Sequence, residues 1–139
     1  AVKAASKTDF RNFRPKKEET PSQDKSKKEE TAQQDKPKQV LRHVVMFGWK
    51  EGTNPADISK IVTAFGNLPA KIPLIKSFEW GTNNSPENLN NGLTHCFFLT
   101  FYSEADRDAY LIHPDHKAFG AILNPMPDKI TVLDYWTSL

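Results

Sequence analysis

The pattern of apolar positions divides residues 40–139 into four strands and three helical segments. Strands are predicted where β-branched and aromatic residues dominate, at 40–49, 74–81, 92–102 and 129–136. Helices are predicted from helical spacing and capping residues, at 55–67, 104–112 and 116–123. Pro114 separates the last two helical segments because the residue before a proline disfavours α geometry. The order β-α-β-β-α-β predicts an α+β, ferredoxin-like fold with one four-stranded antiparallel sheet.

Apolar side chains occur on both faces of the predicted sheet. The first strand carries Leu41, His43, Val45, Phe47 and Trp49 on the face that the helices would cover. The opposite face carries Val44, Met46, Phe98 and Tyr102. Because large exposed apolar patches are rare on monomers, we expect a homodimer in which two sheets pack face to face as a dimeric α+β barrel. The alternative is a monomer whose N-terminal segment covers this face.

Charge and composition separate residues 1–39 from the rest of the chain. This segment has eleven basic and seven acidic residues, whereas residues 40–139 have eight basic and ten acidic ones. All three Trp and all three Tyr fall in the second part. We therefore predict a disordered charged tail at 1–39 and one folded domain at 40–139. The mixed charges favour a solvated spacer over a basic arm, so no nucleic-acid partner is expected.

Other simple features exclude several classes of protein. No run approaches the ~18 apolar residues that a membrane span needs, so no membrane-spanning segment is expected. The lone Cys96 excludes an internal disulfide, and a single strand cysteine is most often a small buried apolar residue. The chain starts at Ala1, which leaves two compartments open: the cytoplasm, or export after removal of a leader.

Three histidines and a tyrosine are candidates for chemistry. His43 lies in the first strand, His95 in the third, and His116 on a helical face that should point at the sheet, with Tyr110 shortly before it. Imidazoles titrate near neutral pH, and a phenol can donate a hydrogen bond to a carbonyl or enolate oxygen. The alternative is that the histidines satisfy buried backbone groups or cap helices. His113 and His116 form an HxxH pair, but Pro114 interrupts their helix, so no metal is expected.

Five segments carry a family resemblance: HVVMFGWK at 43–50, IKSFEWG at 75–81, THCFFLTF at 94–101, AYLIHPDHKAFG at 109–120 and VLDYW at 132–136. They resemble the stress-responsive A/B barrel domain family of dimeric α+β barrels. The resemblance covers residues 40–139 and none of the tail. Its HPxH element followed by FG is the most specific part, and it implies the same fold that the pattern predicts.

The resemblance also implies residue roles. One plant member closes a linear polyketide by an intramolecular aldol condensation without a cofactor. Its catalytic Tyr and His are similar to Tyr110 and His116, its pocket histidines to His43 and His95, and a pocket aromatic of its first helix to Phe65. Further apolar walls are expected from Val45, Phe47 and Phe97.

The sequence is compatible with two functions. The first is a small-molecule-binding barrel, a cofactor-independent cyclase or lyase for an apolar or polyketide-like ligand. In it His116 is the general base and Tyr110 the donor to the oxyanion. The second is a non-catalytic stress-response dimer with structural histidines. A solvent-open void beside Tyr110 and His116 favours the first function, and a space filled by side chains favours the second.

Overall fold

The computed structural model describes residues 37–123 and 126–139, and it contains four strands and four helices in these ranges. In chain order they are β1 (Gln39–Gly48), α1 (Pro55–Gly66), α2 (Leu68–Lys71), β2 (Ser77–Thr82), β3 (His95–Phe101), α3 (Glu104–Leu111), α4 (Pro114–Ala121) and β4 (Lys129–Ser138). The predicted tail at 1–39 falls almost entirely outside the described residues and stays a prediction. Within the described ranges, no helix is long and apolar enough to cross a membrane.

The strands form one antiparallel sheet in the order β2-β3-β1-β4. This topology confirms the predicted ferredoxin-like α+β fold. β1 is central and pairs with both β3 and β4. Its register sets His43 opposite Leu99 on one side and Asp134 on the other. The pairing of β1 with β4 therefore brings a carboxylate next to a buried histidine.

The helices cover one face of the sheet and enclose the core with it. On α1, Ile61 and Phe65 are four residues apart, so both point from one side of the helix toward the sheet. α3 contributes Tyr110 and α4 contributes Phe119 to the same layer. The strand residues beneath them are the alternate positions of β1 and β3, namely Leu41, Val45, Phe47, Phe97, Leu99 and Phe101.

The other face of the sheet carries the apolar residues expected there. Val44, Met46, Phe98 and Tyr102 are each half-buried in the single chain. Leu133 and Tyr135 on β4 continue the same face and are exposed. We call this surface, with its six apolar residues, the open sheet face.

Several element boundaries differ from the predicted ones. β2 begins at Ser77 rather than 74, because a turn closed by a hydrogen bond from the Ile75 amide to the Ile72 carbonyl precedes it. β3 begins at His95 rather than 92, because the Leu93 amide donates to the Asn90 carbonyl and Gly92 has a positive φ of 79°. The short helix α2 was not predicted. α4 begins at Pro114, two residues before the predicted start at 116, because proline is well suited to the first helical position.

Candidate functional site

A cavity of about 530 Å³ lies between the sheet and the helices α3 and α4. Polar groups from four elements (β1, α3, α4 and β4) meet on its wall, and the rest of the wall is mainly apolar. The polar residues are His43, Arg107, Asp108, Tyr110, His116 and Asp134. The remaining wall is formed by Val45, Phe47, Phe65, Leu111, Phe119, Gly120, Leu123, Ile130 and Val132. An apolar cavity with a few convergent polar groups is typical of small-molecule sites.

Tyr110 and His116 lie side by side on this wall, with ring centroids 4.5 Å apart. α3 ends one residue after Tyr110, and the chain turns at once into α4, which carries His116. Tyr110 is 1% exposed and packs against Phe101 and His43. Burial raises the pKa of its phenol, so the hydroxyl keeps its proton at neutral pH and can act as a donor.

The His116 ring has a defined tautomer. Its Nδ1 lies 3.0 Å from the carbonyl oxygen of Leu111, and a carbonyl only accepts, so Nδ1 donates. The lone pair is then on Nε2. Burial lowers the pKa of this imidazole, the nearby His43 and His113 lower it further, and the Leu111 carbonyl opposes them. His116 is therefore a neutral imidazole near pH 7 that can accept a proton.

His43 is held by a carboxylate that the sequence analysis did not single out. The His43 side chain is 6% exposed, and its Nδ1 lies 2.7 Å from Oδ1 of Asp134. Oδ2 of Asp134 accepts a hydrogen bond from Nη1 of Arg107 at 2.8 Å. Hydrogen bonds to Asp134 and Asp108 raise the pKa of the Arg107 guanidinium. The one signal for Asp134 in the sequence is that it is a single carboxylate inside the apolar strand pattern KITVLDYW.

His95 does not line this cavity. It is the first residue of β3, and its Nδ1 accepts a hydrogen bond from Nε1 of Trp49 at 3.1 Å. Its ring is parallel to that of Trp80, with the centroids 6.1 Å apart. Together with Met46 and Cys96 it lines a separate groove of about 740 Å³. Cys96 itself is half-buried, and burial and the charge of Glu79 raise the pKa of its thiol.

Phe97 is also absent from the cavity wall. It is fully buried and stacks beneath Phe65, with ring centroids 4.4 Å apart. The structure thus brings six of the eight predicted site residues to one cavity: His43, Val45, Phe47, Phe65, Tyr110 and His116. Phe97 supports that wall from behind.

The two members of the HxxH pair have separate structural contacts. The Nδ1 of His113 accepts the Asp115 amide at 3.1 Å, so this side chain is the N-cap of α4. His116 instead packs against Tyr110. Among residues 37–123 and 126–139, no group of three or more His, Cys, Asp or Glu side chains could hold a metal ion.

Comparison with known proteins identifies the family. Residues 41–137 match the Stress responsive A/B Barrel Domain. The chain belongs to this family. It is 37% identical over 98 residues to the stress-response A/B barrel domain-containing protein HS1 of Arabidopsis thaliana, covering 70% of this chain and 90% of that protein. It is 28% identical over 95 residues to the olivetolic acid cyclase of Cannabis sativa, covering 68% of this chain and 94% of the cyclase.

Solved structures of A/B barrel and ferredoxin-like proteins are similar to this chain. A hydroxynitrile lyase from Passiflora edulis has a TM-score of 0.68 and 32% identity, over 73% of this chain and 96% of the lyase. A dimeric ferredoxin-like protein of unknown function from Thermobifida fusca has a TM-score of 0.59 and 27% identity, over 73% of this chain and 92% of that chain. The fold and the family predicted from sequence are both confirmed, and the similar proteins include dimers.

Proposed function

We propose that this A/B barrel domain binds a small carbonyl compound in the cavity and acts as a cofactor-independent lyase or cyclase. The observation that carries the proposal is the contact between Tyr110 and His116, with ring centroids 4.5 Å apart on a cavity wall. One group is a protonated phenol and the other a neutral imidazole. The similarity to proteins named as a hydroxynitrile lyase and an olivetolic acid cyclase supports this reaction class.

In the proposed cyclase step, Nε2 of His116 removes a proton from a carbon next to a carbonyl group. The resulting enolate attacks a second carbonyl of the same molecule, which forms the new C–C bond. The attacked oxygen becomes an alkoxide, and Tyr110 stabilises it by donating a hydrogen bond. The proton on His116 then returns to that oxygen, so no external acid is consumed. A lyase step is the same sequence in reverse, with a carbanion as the leaving group.

The apolar part of the wall suits the remainder of such a ligand. Val45 and Phe47 from β1, Phe65 from α1 and Phe119 from α4 offer surface beside the polar cluster. Burial of a ligand chain against them is favourable by about 25 cal/mol per Å² of apolar area removed from water. We therefore propose a ligand with a carbonyl-bearing polar part and an apolar part, in contact with these side chains.

We also propose that the working unit is a homodimer joined through the open sheet face. This face carries six apolar side chains that the single chain leaves half-buried or exposed: Val44, Met46, Phe98, Tyr102, Leu133 and Tyr135. Similar structures are described as dimeric. In such a dimer the two cavities lie on the outer, helix-covered sides of the barrel and stay accessible.

A non-catalytic stress-response dimer is the second candidate, and one observation favours it. Each of His43, His95, His113 and His116 has a hydrogen-bond partner that would suit a structural role. The cavity beside Tyr110 and His116 favours the first candidate, because side chains alone do not fill that space.

The test is turnover of two probe compounds, mandelonitrile for C–C cleavage and a linear β-polyketo ester for ring closure. We expect the wild-type protein to convert at least one of them, and His116→Ala to lower turnover about 10²–10⁴-fold, the usual contribution of a positioned base. Tyr110→Phe should also lower turnover while its ring packing is kept. Lys117→Ala is the matched control, because Lys117 is exposed on α4 and absent from the cavity wall. Failure of both probes, or unchanged turnover in His116→Ala, would contradict the proposal.

A further inference from the structure

Gly120 lies in α4 at a position where neither the backbone nor the packing requires a glycine. Its backbone is helical, a conformation that almost every residue type adopts. A Cβ added here would meet no atom within 4 Å. Glycine is also among the least favourable residues within a helix. The missing side chain therefore relieves no contact within the domain, and it leaves open space beside the Cα of Gly120.

The open space beside Gly120 belongs to the cavity next to His116. The two residues are four positions apart in α4, so they lie on the same side of the helix, one turn from each other. Both line the cavity. Because the Cα–Cβ bonds of a helix tilt toward its N-terminus, a side chain at position 120 would lean back over the turn that carries His116. Glycine thus keeps the approach to this imidazole free.

The cavity wall around Gly120 reaches solvent, and it is mainly apolar there. The exposed residues of the wall are Asp108 and Leu111 on α3, Gly120 on α4, and Ile130 and Val132 on β4. Asp108 is the charged residue among these five. β4 is an edge strand of the sheet, so Ile130 and Val132 border the opening of the cavity. An apolar chain that leaves the cavity here stays in contact with apolar surface, which is favourable because less of that surface meets water.

We propose that Gly120 is a specificity-determining residue, which leaves room beside His116 for the apolar chain of the ligand. This proposal rests on the proposed function, because it takes the carbonyl part of the ligand to lie at Tyr110 and His116. The chain then extends past Gly120 toward the exposed apolar residues of the wall. A larger side chain at position 120 restricts the cavity to ligands with short chains, and it slows the access of any reagent to His116.

The first experiment measures access to His116 in the full chain without a ligand. Diethyl pyrocarbonate acylates neutral imidazoles, and tandem mass spectrometry follows its reaction near neutral pH. His113 is the internal reference, because it is not on the cavity wall and shares a tryptic peptide with His116. In Gly120→Leu and Gly120→Met we expect the rate at His116, relative to His113, to fall about tenfold, the lower end of what one methylene group is worth in a pocket. Ala118→Leu is the matched control: it adds the same side chain at an exposed position of α4 outside the cavity wall, and it should keep the wild-type rate.

The second experiment measures selectivity for chain length, by the protection of His116 from the same reagent. Ethyl acetoacetate and ethyl octanoylacetate are both β-keto esters and differ only in the alkyl chain. We expect the longer ester to protect His116 of the wild type at the lower concentration, because its chain contacts the apolar wall. Gly120→Leu should lose most of this preference, and Ala118→Leu should keep it.

An unchanged labelling rate of His116 in both Gly120 variants, or an unchanged preference between the two esters, would overturn the proposal. If one of the two variants fails to fold, the other decides the question. If neither ester protects His116 in the wild type, the proposed ligand class fails. The labelling rates without a ligand then still decide whether the side chain at position 120 controls access to His116.

Discussion

The same burial acts in opposite directions on the two central side chains of the site. It raises the pKa of the Tyr110 phenol and lowers the pKa of the His116 imidazole, because in both cases the charged form is the one that loses solvation. Each residue is therefore neutral near pH 7. A hydrogen-bond donor and a proton acceptor can then lie in contact without exchanging a proton in the resting state, which is what acid–base chemistry on a bound carbonyl requires.

The lowered pKa of His116 predicts a pH dependence of stability. The unfolded imidazole, with a pKa near 6.5, binds protons that the folded one resists, so the free energy of unfolding should fall as pH decreases below 6.5. Well above pH 6.5 the imidazole is neutral in both the folded and the unfolded state, so this loss of stability is absent. Urea denaturation of wild type and His116→Gln between pH 5 and 8 checks it. The variant should lose less stability on acidification. An equal dependence of the free energy of unfolding on pH in the two proteins would contradict a lowered pKa of His116.

Two glycines predict opposite responses to the same substitution. A Cβ at Gly48, the last residue of β1, would overlap the carbonyl oxygen of Gly92. That oxygen belongs to the backbone, so it cannot move aside as the end of a flexible side chain could. Gly48→Ala should lower the free energy of unfolding by ~1–3 kcal/mol, as overpacking does. A Cβ at Gly120 in α4 would meet nothing within 4 Å. Gly120→Ala should be neutral or stabilising by up to ~1 kcal/mol, from helix propensity. Thermal denaturation of both variants tests the contrast.

At the level of elements, alternation and capping predicted most of the fold but not the pairing registers. The face assignments of β1 held because strand side chains alternate with a period of two. His95 lies on the face that alternation predicts, but the register sets it opposite Phe47, four residues and ~13 Å along the strand from His43. Asp134 reaches His43 only through the register of β1 with β4, which no local pattern specifies. On sequence alone, Arg107 resembles an ordinary helix surface charge.

The N-cap of α3 is a second element-level feature with a measurable effect. The Ser103 side chain accepts the Asp106 amide at 3.0 Å, and this helix carries both Arg107 and Tyr110. Ser103→Ala should lower the free energy of unfolding by ~1 kcal/mol, because an N-terminal amide loses its partner. Ser59→Ala, at an exposed position inside α1, should change it by less than ~0.5 kcal/mol. Equal effects of the two substitutions in urea denaturation would argue against the cap.

At the scale of the whole domain, the two faces of the sheet differ in what covers them. Its helix-covered face holds the cavity, and its open face is the surface through which we propose that two copies associate. β1 contributes to both faces, because successive side chains of a strand point in opposite directions. His43 therefore lies on the cavity wall, and the next residue, Val44, lies at the centre of the open sheet face. Association of two open faces would therefore stiffen the strand that positions His43 without covering the cavity. A domain of about 100 residues thus has room for both a core and a candidate ligand cavity.

Val44 gives the clearest test of association through the open sheet face. It pairs with Phe98 on β3 and Leu133 on β4, so it lies in the middle of the apolar surface. Val44→Asp should convert a wild-type dimer into a monomer in sedimentation velocity at micromolar concentration, because two unpaired carboxylates would be buried. Val44 is only half-buried in the single chain, so the monomer should tolerate the change. Ile112→Asp, at a 69% exposed position on the helix side, should remain dimeric. A monomeric wild type, or a dimeric Val44→Asp, would show that a different surface, or none, joins two copies.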